Sequence, residues 1–199
     1  PTYEPSVLKY AACSENDTSN AEQIKLNTHT GTHLDVPFHF YNDGKTLEQF
    51  DVECFQGEAV LIDLRGVMSP KEGIEVKHLE KYADMIKKDC IVILNTGWGK
   101  KRSFDKEYMY DWPYLTGGAA QWLKDKEIKG IAIDAMSLGG WYEGTGRPCH
   151  EIMLGAQIWI LEEINIPDEL MENKTCYLMA FPIKFKGFSG GPVRAVAAI

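Results

Sequence analysis

The 199 residues carry a formal net charge of -8, with 44% apolar and 25% charged side chains, the balance of an ordinary globular domain long enough for a full hydrophobic core. An acidic surface repels phosphate backbones, and the one basic run, Lys100-Lys101-Arg102, is diluted by Asp105 and Glu107 and reads as a solvated loop, so nucleic acid is not an expected partner. No stretch approaches the roughly 20 apolar residues of a membrane span and no basic-then-apolar leader opens the sequence, so no membrane partner is expected either.

In chain order, segments rich in β-branched and aromatic residues that stop at polar or glycine punctuation predict strands over 7–12, 23–28, 59–64, 90–94, 130–133, 157–161, 175–181 and 193–198. The runs Ile91-Val92-Ile93-Leu94 and Ile131-Ala132-Ile133 read as strands buried on both faces, as where helices cover a sheet. Between them, 76–86 sets Val76, Leu79, Ala83 and Ile86 at helical spacing. A second helix opens on Thr116 as N-cap, buries Ala119, Ala120 and Leu123, and ends near Gly130. A short turn follows Pro148 and another spans 168–171. No repeat or linker interrupts residues 1–199, so the expectation is one α/β (α+β) domain with a mixed sheet and few helices. Five cysteines, at 13, 54, 90, 149 and 176, are scattered without CxxC spacing. They suit a reducing compartment, with Cys90 and Cys176 as small buried residues, and a cytoplasmic location is expected.

Chemistry concentrates at one place. Three of the five histidines fall within eleven residues, His29-Thr30-Gly31-Thr32-His33-Leu34-Asp35-Val36-Pro37-Phe38-His39, with an aspartate among them. A lone histidine is more often a hydrogen-bonded core or surface residue than a ligand; three beside a carboxylate form a donor set suited to Zn²⁺, Mn²⁺ or Fe²⁺. His29 and His33 have helical i, i+4 spacing, but Gly31, Pro37 and the β-branched residues oppose a helix. In a strand His33 and Asp35 share a face, about 7 Å apart at Cα, whereas His29 lies about 13 Å from His33 unless the chain bends. Gly31 permits that bend, and Pro37 ends the strand and routes the chain to His39.

This segment resembles the H-x-G-T-H-x-D-x-P-x-H-F signature of the cyclase family, which includes bacterial kynurenine formamidase and isatin hydrolase, and every fixed position is filled. The resemblance extends through Asn42-Asp43-Gly44-Lys45-Thr46, Leu94-Asn95-Thr96-Gly97-Trp98 (the T-G-W loop), Ile133-Asp134-Ala135-Met136-Ser137 (I-D-x-x-S) and Gly190-Gly191-Pro192-Val193-Arg194-Ala195-Val196-Ala197 (G-x-P-V-R-A-V). Family members open with a strand like I-D-L-(S/T)-H ahead of a P-x-Y-P-like turn. This sequence starts at the turn, Pro1-Thr2-Tyr3-Glu4-Pro5, so the family's first strand is expected to be missing.

The resemblance implies a swivelling β/β/α-type fold, His29, His33 and Asp35 as metal ligands, and His39 as catalytic histidine. In two-metal members a later histidine and a glutamate twelve residues on complete the site, which here selects His150 and Glu162, with the adjacent Glu163 as the other candidate. One or two ions, Zn²⁺ or Mn²⁺, are expected, with Asp35 able to bridge them. The implied activity is hydrolysis of a formamide, lactam or other cyclic or aryl amide by metal-bound hydroxide, with His39 as acid and base. Cyclisation or dehydration, and non-catalytic metal binding on the same fold, are the alternatives. Family members often form homodimers or homotetramers. Cys149 and Ser137 lie in no nucleophile elbow. Trp98 and Trp141 are candidates for the wall of a pocket for a small amide, Trp112, Tyr110 and Tyr142 share their loops, and a place in the core or an interface is the competing use. Arg147 reads as an ion-pair partner and His78 as a solvated helix residue.

Overall fold

The computed structural model describes residues 7–11 and 21–199; the opening turn at 1–5 and Cys13 lie outside them. Three strands come first, β1 (Val7–Ala11), β2 (Ala21–Lys25) and β3 (His33–Asp35), followed by the long β4 (Gln56–Asp63). The middle of the chain forms β5 (Gly73–Ile74), α1 (Val76–Leu79), β6 (Ile91–Asn95), α2 (Lys106–Tyr110), β7 (Tyr114–Leu115), α3 (Gly117–Asp125) and β8 (Gly130–Ile133). The last part holds α4 (Arg147–Gly155), β9 (Trp159–Glu162), β10 (Thr175–Met179), β11 (Gly190–Pro192) and β12 (Val196–Ala198).

Eight strands make one mixed sheet in the order β11-β3-β9-β8-β6-β4-β10-β12, while β1 pairs with β2 and β5 with β7 in small separate sheets. The centre, β4, β6, β8 and β9, is parallel, and the flanking strands run antiparallel. This is an α/β fold with few helices. The terminal strands β11 and β12 sit at opposite ends of that order, yet only Val193, Arg194 and Ala195 separate them. So short a link spans at most about 14 Å, so the sheet must curl until its two ends approach. A bridge between Pro182 and Val193 helps join them.

Strand alternation then sorts the core into two parts. Leu34, Leu61, Ile91, Ile93, Trp159 and Leu161 meet inside the curl, while Val60, Ile62, Val92, Leu94, Ile131 and Ile160 face outward against Leu79, Leu123 and Met153 of the helices. Both faces of β6 and β8 are therefore buried, and their unbroken apolar runs record it.

Thr116 is the N-cap of α3, its hydroxyl accepting the Ala119 N–H at 3.3 Å, and Ala119, Ala120 and Leu123 are buried. Elsewhere the elements depart from expectation. The helix over 76–86 stops at Leu79 and tightens to a 3-10 turn at Glu80–Tyr82, where the Tyr82 hydroxyl bonds both backbone groups of Asp63. The turn after Pro148 is a full helix: Pro148 sits in its first turn, where a missing N–H is no loss, and Cys149, Met153 and Leu154 form the buried face. The strand over 193–198 shortens to β12, and an unexpected strand, β11, forms just ahead of it at the other end of the sheet. Among the described residues no helix is long and apolar enough to cross a membrane.

Candidate metal centre

Register places the central groups. β3 lies between β9 and β11, with His33 opposite Glu162 and Asp35 opposite Gly190. Leu34 and Leu161 take the inner face, so His33, Asp35 and Glu162 point outward toward α4, which supplies His150. Gly31, at φ +65°, bends the chain and carries His29 back over Asp35. A Cβ on Gly190 would lie 2.8 Å from His29 Cε1 and 2.5 Å from the Leu34 carbonyl, so only glycine lets the His29 ring settle there. Pro37 starts a 3-10 turn that brings His39 round, its ring stacked on His29 with centroids 4.0 Å apart.

Asp35 is the hub. Its Oδ1 lies 2.7 Å from His29 Nδ1 and 3.3 Å from His33 Nε2, and its Oδ2 lies 3.9 Å from His39 Nε2. Glu162 Oε2 faces His33 Nε2 at 3.4 Å. Its Oε1 accepts the Leu138 N–H at 2.7 Å and the Ser137 hydroxyl at 3.0 Å, and lies 3.2 Å from His150 Nε2. Two groups of donor atoms each lie within 4.8 Å of one another: His29, Asp35 and His39, and His33, Asp35 and Glu162. Asp35 belongs to both.

The donors are arranged as an ion requires. A carbonyl only accepts, so His33 Nδ1 must donate to Gly31 O (2.7 Å) and His150 Nδ1 to Gly146 O (2.8 Å). Both Nε2 lone pairs are thereby turned inward, the tautomer that metal-binding histidines need. Asp35 and Glu162 are buried together, 1% and 4% exposed, with only imidazoles as counter-groups. Two carboxylates so enclosed call for a cation. Without one, burial opposes charge on His33, but the hydrogen bond and charge of Asp35 and the charge of Glu162 outweigh it and raise its pKa to about 9. Burial likewise pushes Asp35 up, and its histidine neighbours hold it well below the usual carboxylate range. His39 moves the other way, to about 4, because burial dominates and the Asp35 charge only partly offsets it.

A cleft of about 250 Å³ opens on these groups, walled by Trp112, Met136, Gly140 and Trp141. Trp141 is half-exposed and leans on Tyr110. Trp98 does not reach the cleft: it is buried in the core, and its indole N–H donates to the Tyr108 carbonyl at 3.1 Å. Arg147 pairs with Glu151 at 2.6 Å, and His78 accepts the Glu75 N–H at the start of α1. Cys149 is buried. Glu163 turns away from the centre toward Arg102.

Two contributors were not among the expected site residues, although Phe40 closes the histidine signature. Ser189, from the other end of the chain, meets His29 Nε2 at 2.8 Å, and Phe40 stacks on His150 at 4.9 Å. The T-G-W and I-D-x-x-S segments interlock: Asp134 accepts Thr96 N and Oγ1 at 2.8 and 2.6 Å and Gly99 N at 3.1 Å. That clamp fixes the strand end from which Ser137 reaches Glu162.

The model of the family described as Putative cyclase matches residues 1–139, and the chain belongs to this family. A kynurenine formamidase from Bacillus cereus is 30% identical over 196 residues, 98% of this chain and 86% of the relative, a span that includes His150 and Glu162. Isatin hydrolase A from Ralstonia solanacearum shares the fold at a TM-score of 0.87 and 22% identity, over 98% of this chain and 82% of that one. A protein described as a predicted metal-dependent hydrolase from Bacillus stearothermophilus superposes at a TM-score of 0.78 and 25% identity, over 96% of this chain and 86% of its own.

Proposed function

We propose that this protein is a metal-dependent hydrolase of a non-peptide C–N bond, acting on a formamide, lactam or other small aryl or cyclic amide. The observation that carries the reading is the enclosed donor set, in which Asp35 belongs to two groups of donors and both His33 and His150 have their Nε2 lone pairs freed by backbone carbonyls. His29, His33, Asp35, His150 and Glu162 are the proposed ligands of one or two ions, Zn²⁺ or Mn²⁺. A divalent ion in such a set polarises a carbonyl and lowers the pKa of water, the two things amide hydrolysis needs.

The chain's own groups supply the rest. His39 is the least buried of the residues around Asp35, and its depressed pKa, about 4, leaves its imidazole neutral at physiological pH. Unprotonated, it is free to take a proton from the attacking water, though as a weak base, and once charged it passes that proton readily to the departing nitrogen. Leu138 N–H and Ser137 Oγ hold Glu162 Oε1 in place throughout. Trp112, Met136 and Trp141 offer apolar walls to a flat substrate. The kynurenine formamidase and isatin hydrolase names among the relatives support this substrate class.

The deciding experiment is elemental analysis of protein purified without a nickel column or chelator, followed by assay on an N-formyl aryl amine and on isatin. One to two equivalents of zinc or manganese with formate release or ring opening support the reading. Absence of metal after incubation with Zn²⁺ or Mn²⁺ removes it.

A further inference from the structure

Glu163 has no part in the scheme above, yet it is the most constrained residue beside the centre. Its φ of +53° lies in the left-handed region that a non-glycine residue occupies only when its surroundings hold it there. Its N–H donates to Ala135 O at 3.0 Å. Its carbonyl accepts two donors, Thr32 Oγ1 at 2.7 Å and Arg102 Nη2 at 3.2 Å, and its carboxylate lies 3.7 Å from the same guanidinium. Burial pushes the carboxyl up, while Arg102, His33 and the Gly31 N–H draw it back toward the ionised form.

Every one of these ties leads to the bend between His29 and His33 or braces the residue that grips it. The ladder between β3 and β9 ends at His33 opposite Glu162, and the next rung is the bond from the Thr32 hydroxyl to the Glu163 carbonyl. Gly31 cannot be held by packing, since a Cβ there would meet nothing within 4 Å. Its carbonyl nevertheless has to stay in place, because it receives His33 Nδ1 and so decides which nitrogen of His33 faces Asp35 and Glu162.

We propose that Glu163 is a positioning residue for the metal centre: fixed in a left-handed turn by Ala135 and Arg102, its carbonyl clamps Thr32 and so holds the Gly31 bend that aims His33. The proposal rests on the hydrolase reading only in taking His33 as a ligand. Adjacent glutamates thus divide the work, Glu162 in the centre and Glu163 behind it.

Thr32→Val removes the hydroxyl and keeps the shape; Thr32→Ser restores it. Two readouts start from metal-free protein: zinc affinity by competition with a chromophoric chelator, and the ¹⁵N shifts of the His33 ring taken above its pKa of about 9, where the neutral ring reports its tautomer. Thr32→Val is expected to weaken zinc binding by about 10- to 100-fold, the usual cost of losing an outer-shell partner, and to erode the Nδ1–H form of His33, with Thr32→Ser close to wild type. Arg102→Met, at a half-exposed guanidinium, removes the second donor and should shift both readouts in the same direction; it decides the matter if Thr32→Val does not fold. Lower thermal stability with unchanged zinc affinity and unchanged ring shifts overturns the proposal. A wild type that binds no zinc defeats the hydrolase reading instead, and the His33 shifts alone then judge the clamp, unchanged shifts overturning it.

Discussion

At Asp35 a single side chain answers to three imidazoles, two through Oδ1 and one through Oδ2. Asp35→Ala is therefore expected to abolish metal retention and turnover together, read by metal content per chain; a variant that keeps its metal would remove Asp35 from the ligand set. His39→Ala should keep the metal and lose about 10²–10⁴-fold in kcat, the range for a missing acid–base group, and a normal rate would assign the proton transfer elsewhere. His33 gives a pH signature. Its folded pKa of about 9 lies above the ordinary 6.5, so protonated His33 stabilises the metal-free fold fully below pH 6.5 and progressively less as pH rises through 9. An ion that takes the Nε2 lone pair removes that dependence. The gain in Tm on adding Mn²⁺ should thus grow between pH 6.5 and 9 in thermal melts, and a flat gain would show that His33 does not bind the ion. Residue types and strand parity put His33 and Asp35 on one face in the sequence alone, and Gly31 marked the bend, which has its positive φ. Ser189 gave no such sign, because serine is common and its proximity to His29 arises only on folding, and Phe40, though it closes the signature, had no role assigned until folding set it against His150.

Among the elements, β11 shows why local pattern falls short. The sequence 193–198 reads as one strand, but only Val196–Ala198 forms one, and Gly190, Gly191 and Pro192 ahead of it make a separate strand that lies beside Asp35. Gly190→Ala should push β11 off β3 and displace His29, costing about 1–3 kcal/mol, as overpacking does, together with metal affinity. Denaturant melts and zinc titration measure both, and a variant with native affinity would mean that His29 has room to move. Thr116→Ala offers the contrast. Its cap was legible from the Thr-Gly-Gly-Ala opening of α3, none of whose residues lines the cleft, and its loss should cost about 1 kcal/mol with kcat and metal content unchanged. Helix α4 was harder to see: Pro148 suggests interruption wherever it occurs, and only its position in the first turn, set by the Gly146 end of the preceding loop, makes it harmless.

Over the whole molecule, the parallel centre of the sheet was foreshadowed by apolar runs at 91–94 and 131–133, which only double-sided burial explains. The curl was not, since closure depends on which strands pair at the two ends, and pairing between distant segments leaves no mark on either one alone. That topology also sets a timetable. The segment with His29, His33, Asp35 and His39 comes early in the chain, but its sheet neighbours, β9 and β11, come late. At about 5–20 residues per second of synthesis, the three histidines emerge on the order of ten seconds before Glu162 and Ser189 exist to meet them. During that interval the segment lacks its sheet partners, and a peptide of three imidazoles and one carboxylate would, by the general order of affinities, favour copper over zinc or manganese. Only when β3 is enclosed on both sides does Glu162 join Asp35 and the histidines. If the proposed site is filled, ion choice is therefore open to two different donor sets in turn, first a loose peptide and then the finished sheet.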